Sequence, residues 1–445
     1  MKQIRVRLKK LASQASVVGL GAKARHSGTP SPRWGEMLWG GDEVWHHRCF
    51  AKTNRWSAPM QRNDLSRSLV AFDQNSTLVA VVELSLNRWV VQGLVPGLSK
   101  QPLKALGPDA SALLALVNRW QLEGTKGGGR IKRIVVAFEA GRDGFWLARW
   151  LRSRGIEVYV IHATSIPVSR EHRRAKSDRL DTELLMRALL GWLRGERKHC
   201  QMVRIPTIEE EDARRPNREH QTLVGERTRN VCRIKSTLVL HGIRDFNPKR
   251  LKASERLETL RCPEGGSLPP NTLAELRREM AQLRLISGQL REIEKTREER
   301  LKRAPRQGTH PMVLLLAKIL GIGIETADML VHEILSRELR DERAVGRYAG
   351  LTGSPYDSGA KRREKGMSRA GNARVRRGMV QLAWRWIRFQ KDSQLTQWYN
   401  SRTESARGDI RKTMIVALAR KLLVSLWRYV TTGEVPVGAK LKAAA

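Results

Sequence analysis

The stretch IKRIVVAFEAGRDGFWLARWLRSRGIEVYVI, residues 131–161, decides the architecture. Ile134 to Phe138 form a short apolar run rich in β-branched residues, the signature of a strand buried on both faces. The polar turn GRDG follows, then FWLARWLRS with apolar residues at helical spacing, then Gly155 and a second apolar strand ending at Ile161. Upstream, SLVAFDQNSTLVAVVELSL (68–86) predicts strand, tight turn at QNST, and strand. SALLALVNRWQ (111–121) predicts a helix, and GTKGGG breaks it before the decisive stretch. A hairpin followed by β–α–β predicts an α/β domain with a mixed sheet, closed by a helix beginning near Lys176.

Lysine and arginine number 83 against 44 acidic residues, a formal charge of +39 spread along all 445 residues. Such an excess favours a polyanion, either nucleic acid or an anionic membrane surface. No run approaches the ~18 apolar residues of a spanning helix. The 40% hydrophobic fraction can fill cores, so a purely disordered basic chain is excluded. Cys49, Cys200, Cys232 and Cys262 stand far apart without a CxxC pair, which suits isolated thiols in a reducing cytosol. HHRC (46–49) has no second half-site for a metal. In the N-terminal segment, the apolar piece ASVVGLGA (15–22) is too short for a cleaved signal.

Residues 1–65 are therefore expected to be a poorly ordered basic extension, and Met60 is an alternative start. The α/β domain is expected over 66–205 and a charged helical connector over 206–305. In NTLAELRREMAQLRLISGQLREIEKTREERLKR (271–303), Leu273, Leu276, Met280, Leu283 and Leu290 keep 3/4 spacing with Ser287 on the seam. That pattern fits a helical hairpin or short coiled coil, and offers a surface for self-association. From 306 to 432 the apolar helices MVLLLAKIL, GMVQLAWRWIRFQ and TMIVALARKLLVSLW predict an all-α region, with 433–445 as a tail.

Acidic residues are scarce enough to stand out. Asp73 is expected to end the first strand and Glu139 ends the strand IVVAF, so both point to the rim where ligands gather in open α/β sheets. In AKSDRLDTELL (175–185), Asp178 and Asp181 share a helix face with Cβ atoms about 5–6 Å apart. Two carboxylates that close repel by roughly 3 kcal/mol at an effective dielectric near 20. A divalent cation, Mg²⁺ or Mn²⁺, removes the conflict, because hard oxygen ligands suit those ions. A solvated DxxD beside Arg173, Arg174 and Lys176 is the alternative for the pair taken alone.

Strand–Asp, strand–Glu, then KSDRLD resembles the RuvC-like (RNase H-like) DEDD domain of the insertion-sequence transposases described as bridge-RNA-guided recombinases. The resemblance implies that Asp73, Glu139, Asp178 and Asp181 form the acidic tetrad. AFDQNS lacks the lysine that the family carries shortly after its first aspartate.

A second motif agrees. AKILGIGIETADMLVHEI resembles a helix-hairpin-helix turn, in which Gly321 and Gly323 let backbone N–H groups face a phosphate. Then comes YAGLTGSPYDSGAKRREKGMSRAGNARVRRG (348–378), a basic glycine-punctuated loop. Lys361, Arg362, Arg363, Lys365, Arg369, Arg374, Arg376 and Arg377 suit backbone phosphates, with Asn372 among them. The order GL…SG…K.G…SRAGN…R is similar to the C-terminal transposase domain of the same family. That similarity implies Ser358 as nucleophile, with Ser354 and Ser368 as rivals. It further implies a DNA recombinase that moves its own element, joined to donor and target DNA and to a structured guide RNA. A dimer or tetramer in the cytoplasm, near the nucleoid, follows. A metal-dependent junction-resolvase-like nuclease needs the acids but not the serine; a non-catalytic nucleic-acid-binding protein needs only the charge.

Overall fold

The computed structural model describes residues 71–141, 143–166, 178–196, 199–358, 361–367, 370–405 and 408–442. The basic extension, Arg173, Arg174, Lys176, Ser368 and Arg369 lie outside the described residues. These residues divide into two units: the hairpin Gly353–Met367 on one side, everything else on the other.

In the larger unit, β1 (Thr77–Leu84), β2 (Trp89–Leu94), β3 (Leu103–Leu106), β4 (Arg133–Glu139), β5 (Glu157–Ile161) and β6 (Met202–Val203) form one mixed sheet. Its order is β3-β2-β1-β4-β5-β6. β1, β4 and β5 are parallel, and β2 and β6 run antiparallel on their outer sides. Two helices cover one face: α1 (Ala110–Lys126), capped by the Asp109 carboxylate, and α2 (Gly144–Arg152). Leu78, Ala80, Val82, Val136 and Phe138 point into that layer. Alternate residues, Val79, Val81, Val135 and Ala137, face the opposite layer, filled by Leu185, Ala188, Leu189 and Trp192 of α3 (Asp178–Leu193). The period-2 alternation of β1 and β4 therefore assigns every residue along them to one layer or the other.

Of the first predicted hairpin, the turn at QNST and the strand after it form, and 68–70 lie outside the described residues. Residues 71–73 are not strand, 74–76 turn, and the chain enters β1 only at Thr77. The Asp73 carboxylate folds onto this turn, with Oδ1 accepting from Asn75 N (3.0 Å) and Oδ2 from Ser76 Oγ. Those two bonds, Ser76 first, hold the exposed carboxyl below its usual range. A hairpin also runs from β1 to β2 around Ser85, whose Oγ accepts from Arg88 N.

After the sheet come α4 (Ile208–Asp212), opened by a Thr207–Glu210 capping box, α5 (Arg215–Leu240), α6 (Ala253–Glu258) and α7 (Pro270–Arg303). The predicted seam is present: Leu276, Met280, Leu283 and Leu290 are buried. It packs on α5 of the same chain, against Ile234 and Leu238 and around Leu223. The seam is thus spent on an internal hairpin, and Ser287 returns its hydroxyl to Leu283 O.

Next follow α8 (His310–Ala317), α9 (Ile324–Leu330), a single π-turn at Val331–Leu335, α10 (Glu342–Tyr348), α11 (Ala373–Phe389), α12 (Gln394–Thr403) and α13 (Gly408–Thr432). The third region is not all-α, because β7 (Gly353–Ser358) and β8 (Lys361–Met367) interrupt it as an antiparallel hairpin. Nor is 433–442 a separate tail. Leu441 bridges Ile319, Lys440 O accepts from Leu320 N, and Lys442 N donates to Lys318 O. No helix among the described residues is long and apolar enough to cross a membrane.

One titratable knot joins α5, α7 and α9. His220 lies between Glu294 Oε1 (2.9 Å from Nε2) and Glu325 Oε1 (3.1 Å from Nδ1). These three groups bring ligand-type atoms within 4.8 Å of one another. Both ring nitrogens already face carboxylate oxygens, which suits an imidazolium rather than a metal-bound imidazole. The Glu325 hydrogen bond, against opposing burial and with help from Glu294, raises the ring's pKa above 6.5. A raised native pKa stabilises fully below the unfolded value and loses that contribution as pH climbs through the native one. Melting temperature is therefore expected to decline as pH rises above the ordinary imidazole range, and His220→Gln to flatten that decline measurably.

Candidate active site at the carboxyl edge of the sheet

The register of β1 with β4 runs from Thr77↔Arg133 to Val82↔Phe138. One residue further on stand Glu83 and Glu139, side by side on parallel neighbours about 4.8 Å apart. Both share the parity of Val81 and Ala137, so they face the α3 layer. Around them a cleft of about 280 Å³ is lined by Leu84, Ser85, Leu86, Ala140, Gly141 and Asp143.

The course of α3 decides toward which rim its acids lie. Trp192, near its end, rests on Tyr159 (ring centroids 4.8 Å apart), whose hydroxyl bonds Glu157 where β5 begins. Arg194, just beyond, reaches Gln74 Oε1 at 3.2 Å, before β1 begins. The carboxyl end of α3 thus lies at the rim where the parallel strands start, and its first turn lies toward the rim where they end. Asp181 precedes Leu185, Ala188 and Trp192 on one stripe of the helix, at i, i+4, i+7 and i+11, the stripe that faces the sheet. Asp178 opens α3; nothing further is described of its side chain.

Asp73 does not belong to this rim. It lies four residues before Thr77, at the end where β1 starts, opposite to Glu139. The strand expected to end at Asp73 begins outside the described residues, and residues 71–73 are not strand. The acid that stands beside Glu139 at this rim is Glu83, which the sequence hides because VAVVELSL reads as uninterrupted strand. Its signal was available: an acid at the inward parity of an otherwise apolar run, directly before the turn residues Ser85 to Arg88.

In the helical region, Gly321 adopts φ +90°, and a Cβ there would meet Phe389 Cβ at 3.0 Å. Its carbonyl accepts from Arg385 (3.0 Å), and Lys442 Nζ holds Ile322 O. Gly323 caps α9 in extended conformation. Asn372, expected on DNA, is instead a helix cap: its Oδ1 accepts from Arg374 N and Val375 N, and its Nδ2 donates to buried Glu333 (2.9 Å). Arg374 and Arg377 are exposed on the first turns of α11, and Arg376 is half-buried beside them. Gly350 (φ +65°) and Gly371 (φ +98°) approach so closely that a Cβ on Gly350 would sit 2.1 Å from Ala370 O. Asn372 N also donates to Tyr348 O at 2.7 Å. The two stems that lead into the hairpin and out of it are therefore pinned together.

Within the hairpin the expected basic loop is a strand. Lys361, Arg362, Arg363 and Lys365 belong to β8, with Ser358↔Lys361, Asp357↔Arg362 and Tyr356↔Arg363 paired. Ser358 ends β7 at the tip, whereas Ser354 lies near the base, about 13 Å along an extended strand.

A larger cleft, of about 730 Å³, opens between α5, α7 and α8. Its floor holds Arg297, Asp328 and His332, and its wall carries Glu209, Glu219 and Glu292, so it is poorly suited to phosphate.

Comparison with known proteins matches residues 106–243 to a family model for DEDD-type transposases of the IS110 group. Residues 313–399 match the transposase family IS116/IS110/IS902. The chain is 41% identical over 372 residues to a putative transposase, y4rJ, of Sinorhizobium fredii, covering 81% of this chain and 93% of that protein. It is 26% identical over 305 residues to the transposase for insertion sequence element IS1328 of Yersinia enterocolitica, covering 68% and 85%.

Proposed function

Because the chain belongs to the IS110 family of transposases, we propose that it excises and inserts its own element with Glu83, Glu139, Asp178 and Asp181 as the acidic set. The observation that carries this reading is the pairing of Glu83 with Glu139 at the ends of adjacent parallel strands, on the face that α3 covers. Two carboxylates there, with Asp181 leading the inward stripe of α3, are hard-oxygen donors of the kind Mg²⁺ or Mn²⁺ takes, though among the described residues only His220, Glu294 and Glu325 bring three ligand atoms within 4.8 Å of one another. Such an ion supplies charge neutralisation at a DNA phosphate. The protein's own groups fix the set: strand register spaces the two glutamates, and the buried stripe of α3 orients Asp181.

Ser358 is the nucleophile in this reading. Its Oγ bonds the phosphorus while the bond from phosphorus to the 3′ oxygen breaks, and the serine proton ends on the released 3′-hydroxyl. Reversal on the exchanged strand conserves the phosphodiester. A position at a hairpin tip, beside the basic residues of β8, suits reaching a duplex backbone. A structured RNA that selects donor and target by pairing fits a surface of charge +39, which reads backbone rather than bases. Self-association to a dimer or tetramer belongs to this proposal, although the α7 seam is not its surface.

Ser358→Ala is expected to abolish a covalent protein–DNA adduct trapped by denaturation, and Ser354→Ala to leave it within a few-fold. An adduct that survives in Ser358→Ala and vanishes in Ser354→Ala moves the nucleophile to the hairpin base. Metal-dependent cutting that persists without either hydroxyl supports the nuclease reading instead. Nucleic acid extracted from the purified protein, degraded by ribonuclease but not by deoxyribonuclease, is the expected sign of the guide.

A further inference from the structure

α2 begins at the acidic cleft and presents two unlike faces. Leu147, Ala148 and Leu151 are buried against the sheet, whereas Trp146, in the first turn, is 42% exposed. Nearly half of the indole stays in contact with water, and it stands beside the candidate site, in the first turn of the helix. Its orientation is fixed by an unusual arrangement. Asp143 occupies the N-cap position of α2 but makes no cap hydrogen bond with its side chain. Its Oδ1 instead accepts from Trp146 Nε1 at 3.2 Å. Asp143 also lines the cleft with Glu83 and Glu139. The indole is thus held by an aspartate that is diverted from its helix and lines the same cleft as the acidic pair.

We propose that Trp146 is a stacking platform for a DNA base next to the phosphate that enters the Glu83/Glu139 cleft, with Asp143 as the positioning residue that sets the ring. The inference rests on the acidic set proposed above. An aromatic face suits any base, since stacking depends on the π-system and not on hydrogen-bond pattern. A base lifted from its duplex beside the scissile phosphate brings that phosphate towards the carboxylates at a defined angle.

The test uses the full-length protein and an oligonucleotide carrying the element end, with 2-aminopurine placed at each position around the cleavage point in turn. Wild-type protein is expected to quench one position strongly. Trp146→Ala is expected to relieve that quenching and weaken DNA binding by roughly 5- to 140-fold, the range for loss of one stacked base. Trp146→Phe should retain most of both, and Asp143→Ala should relieve quenching partly. Trp146→Ala should still melt cooperatively, with a midpoint only modestly lowered, because the ring is little more than half buried. No quenched position, or unchanged quenching in Trp146→Ala, overturns the proposal, as does quenching only of a 2-aminopurine placed in RNA. If Glu83→Gln retains full activity, the acidic-set reading fails instead; loss of activity in Glu83→Gln with unaltered stacking in Trp146→Ala removes only the platform.

Discussion

Glu83→Gln is expected to reduce excision at least about a thousandfold, while Asp73→Asn stays within a few-fold of wild type. Loss of a single outer partner of a metal ligand already costs about 10- to 100-fold, and a direct ligand is worth more. The substitution keeps the shape of the side chain and removes one charge from a pair on strands about 4.8 Å apart, where Coulomb repulsion is about 3.5 kcal/mol at an effective dielectric of 20. Melting temperature in chelator is therefore expected to hold or rise in Glu83→Gln, which separates lost chemistry from lost folding. Excision of a marked element and melting in EDTA, measured on both variants, check the pair of outcomes. Asp73 serves the turn before β1 through Asn75 and Ser76, so its replacement touches the start of the strand and not the cleft. Equal loss in both variants would contradict the assignment of Glu83 over Asp73.

The second large effect concerns stability. Asp328, 7% exposed, receives Asn217 Nδ2 at 2.7 Å and faces Arg297, itself 6% exposed, at 3.3 Å. The Arg297 contact is an ion pair whose Nε lacks hydrogen-bond alignment, so Coulomb attraction carries it. Burial alone would push Asp328 up; the hydrogen bond and charge of His332, then Arg297, outweigh it and hold the carboxyl low. Asp328→Ala leaves a guanidinium enclosed without its counter-charge, a loss of about 3–5 kcal/mol. Chemical denaturation is the measurement. Adding Arg297→Met to Asp328→Ala should recover most of the loss, since an apolar pair of similar volume is tolerated in such places. Failure of that rescue would assign the effect to the neighbouring Asn217 and His332 contacts.

Much of the architecture was legible locally. Ile134 to Phe138 is apolar on both faces and became β4, and Gly155 broke the chain between α2 and β5 as expected. The 3/4 spacing of Leu276, Met280, Leu283 and Leu290 became the inward stripe of α7. Gly321 needs positive φ, and no other residue type adopts it as readily. These features rest on contacts within about four residues, so the order of residue types along the chain specifies them.

Other features were not local. Asp73 and Glu83 each stand beside β-branched runs, and only pairing with β4 shows where β1 begins. The Lys361–Lys365 segment reads as solvated loop until Ser354–Ser358 lies opposite it. Asn372 looks like a phosphate contact until buried Glu333, far back in the chain, takes its amide. Composition and periodicity sufficed for the polyanion preference, the α/β class and the helical connector. Tertiary pairing selected the acids that share a rim, the partner of the α7 seam and the destination of 433–442. Register between distant segments is set by simultaneous burial of two faces, and no stretch read alone contains both.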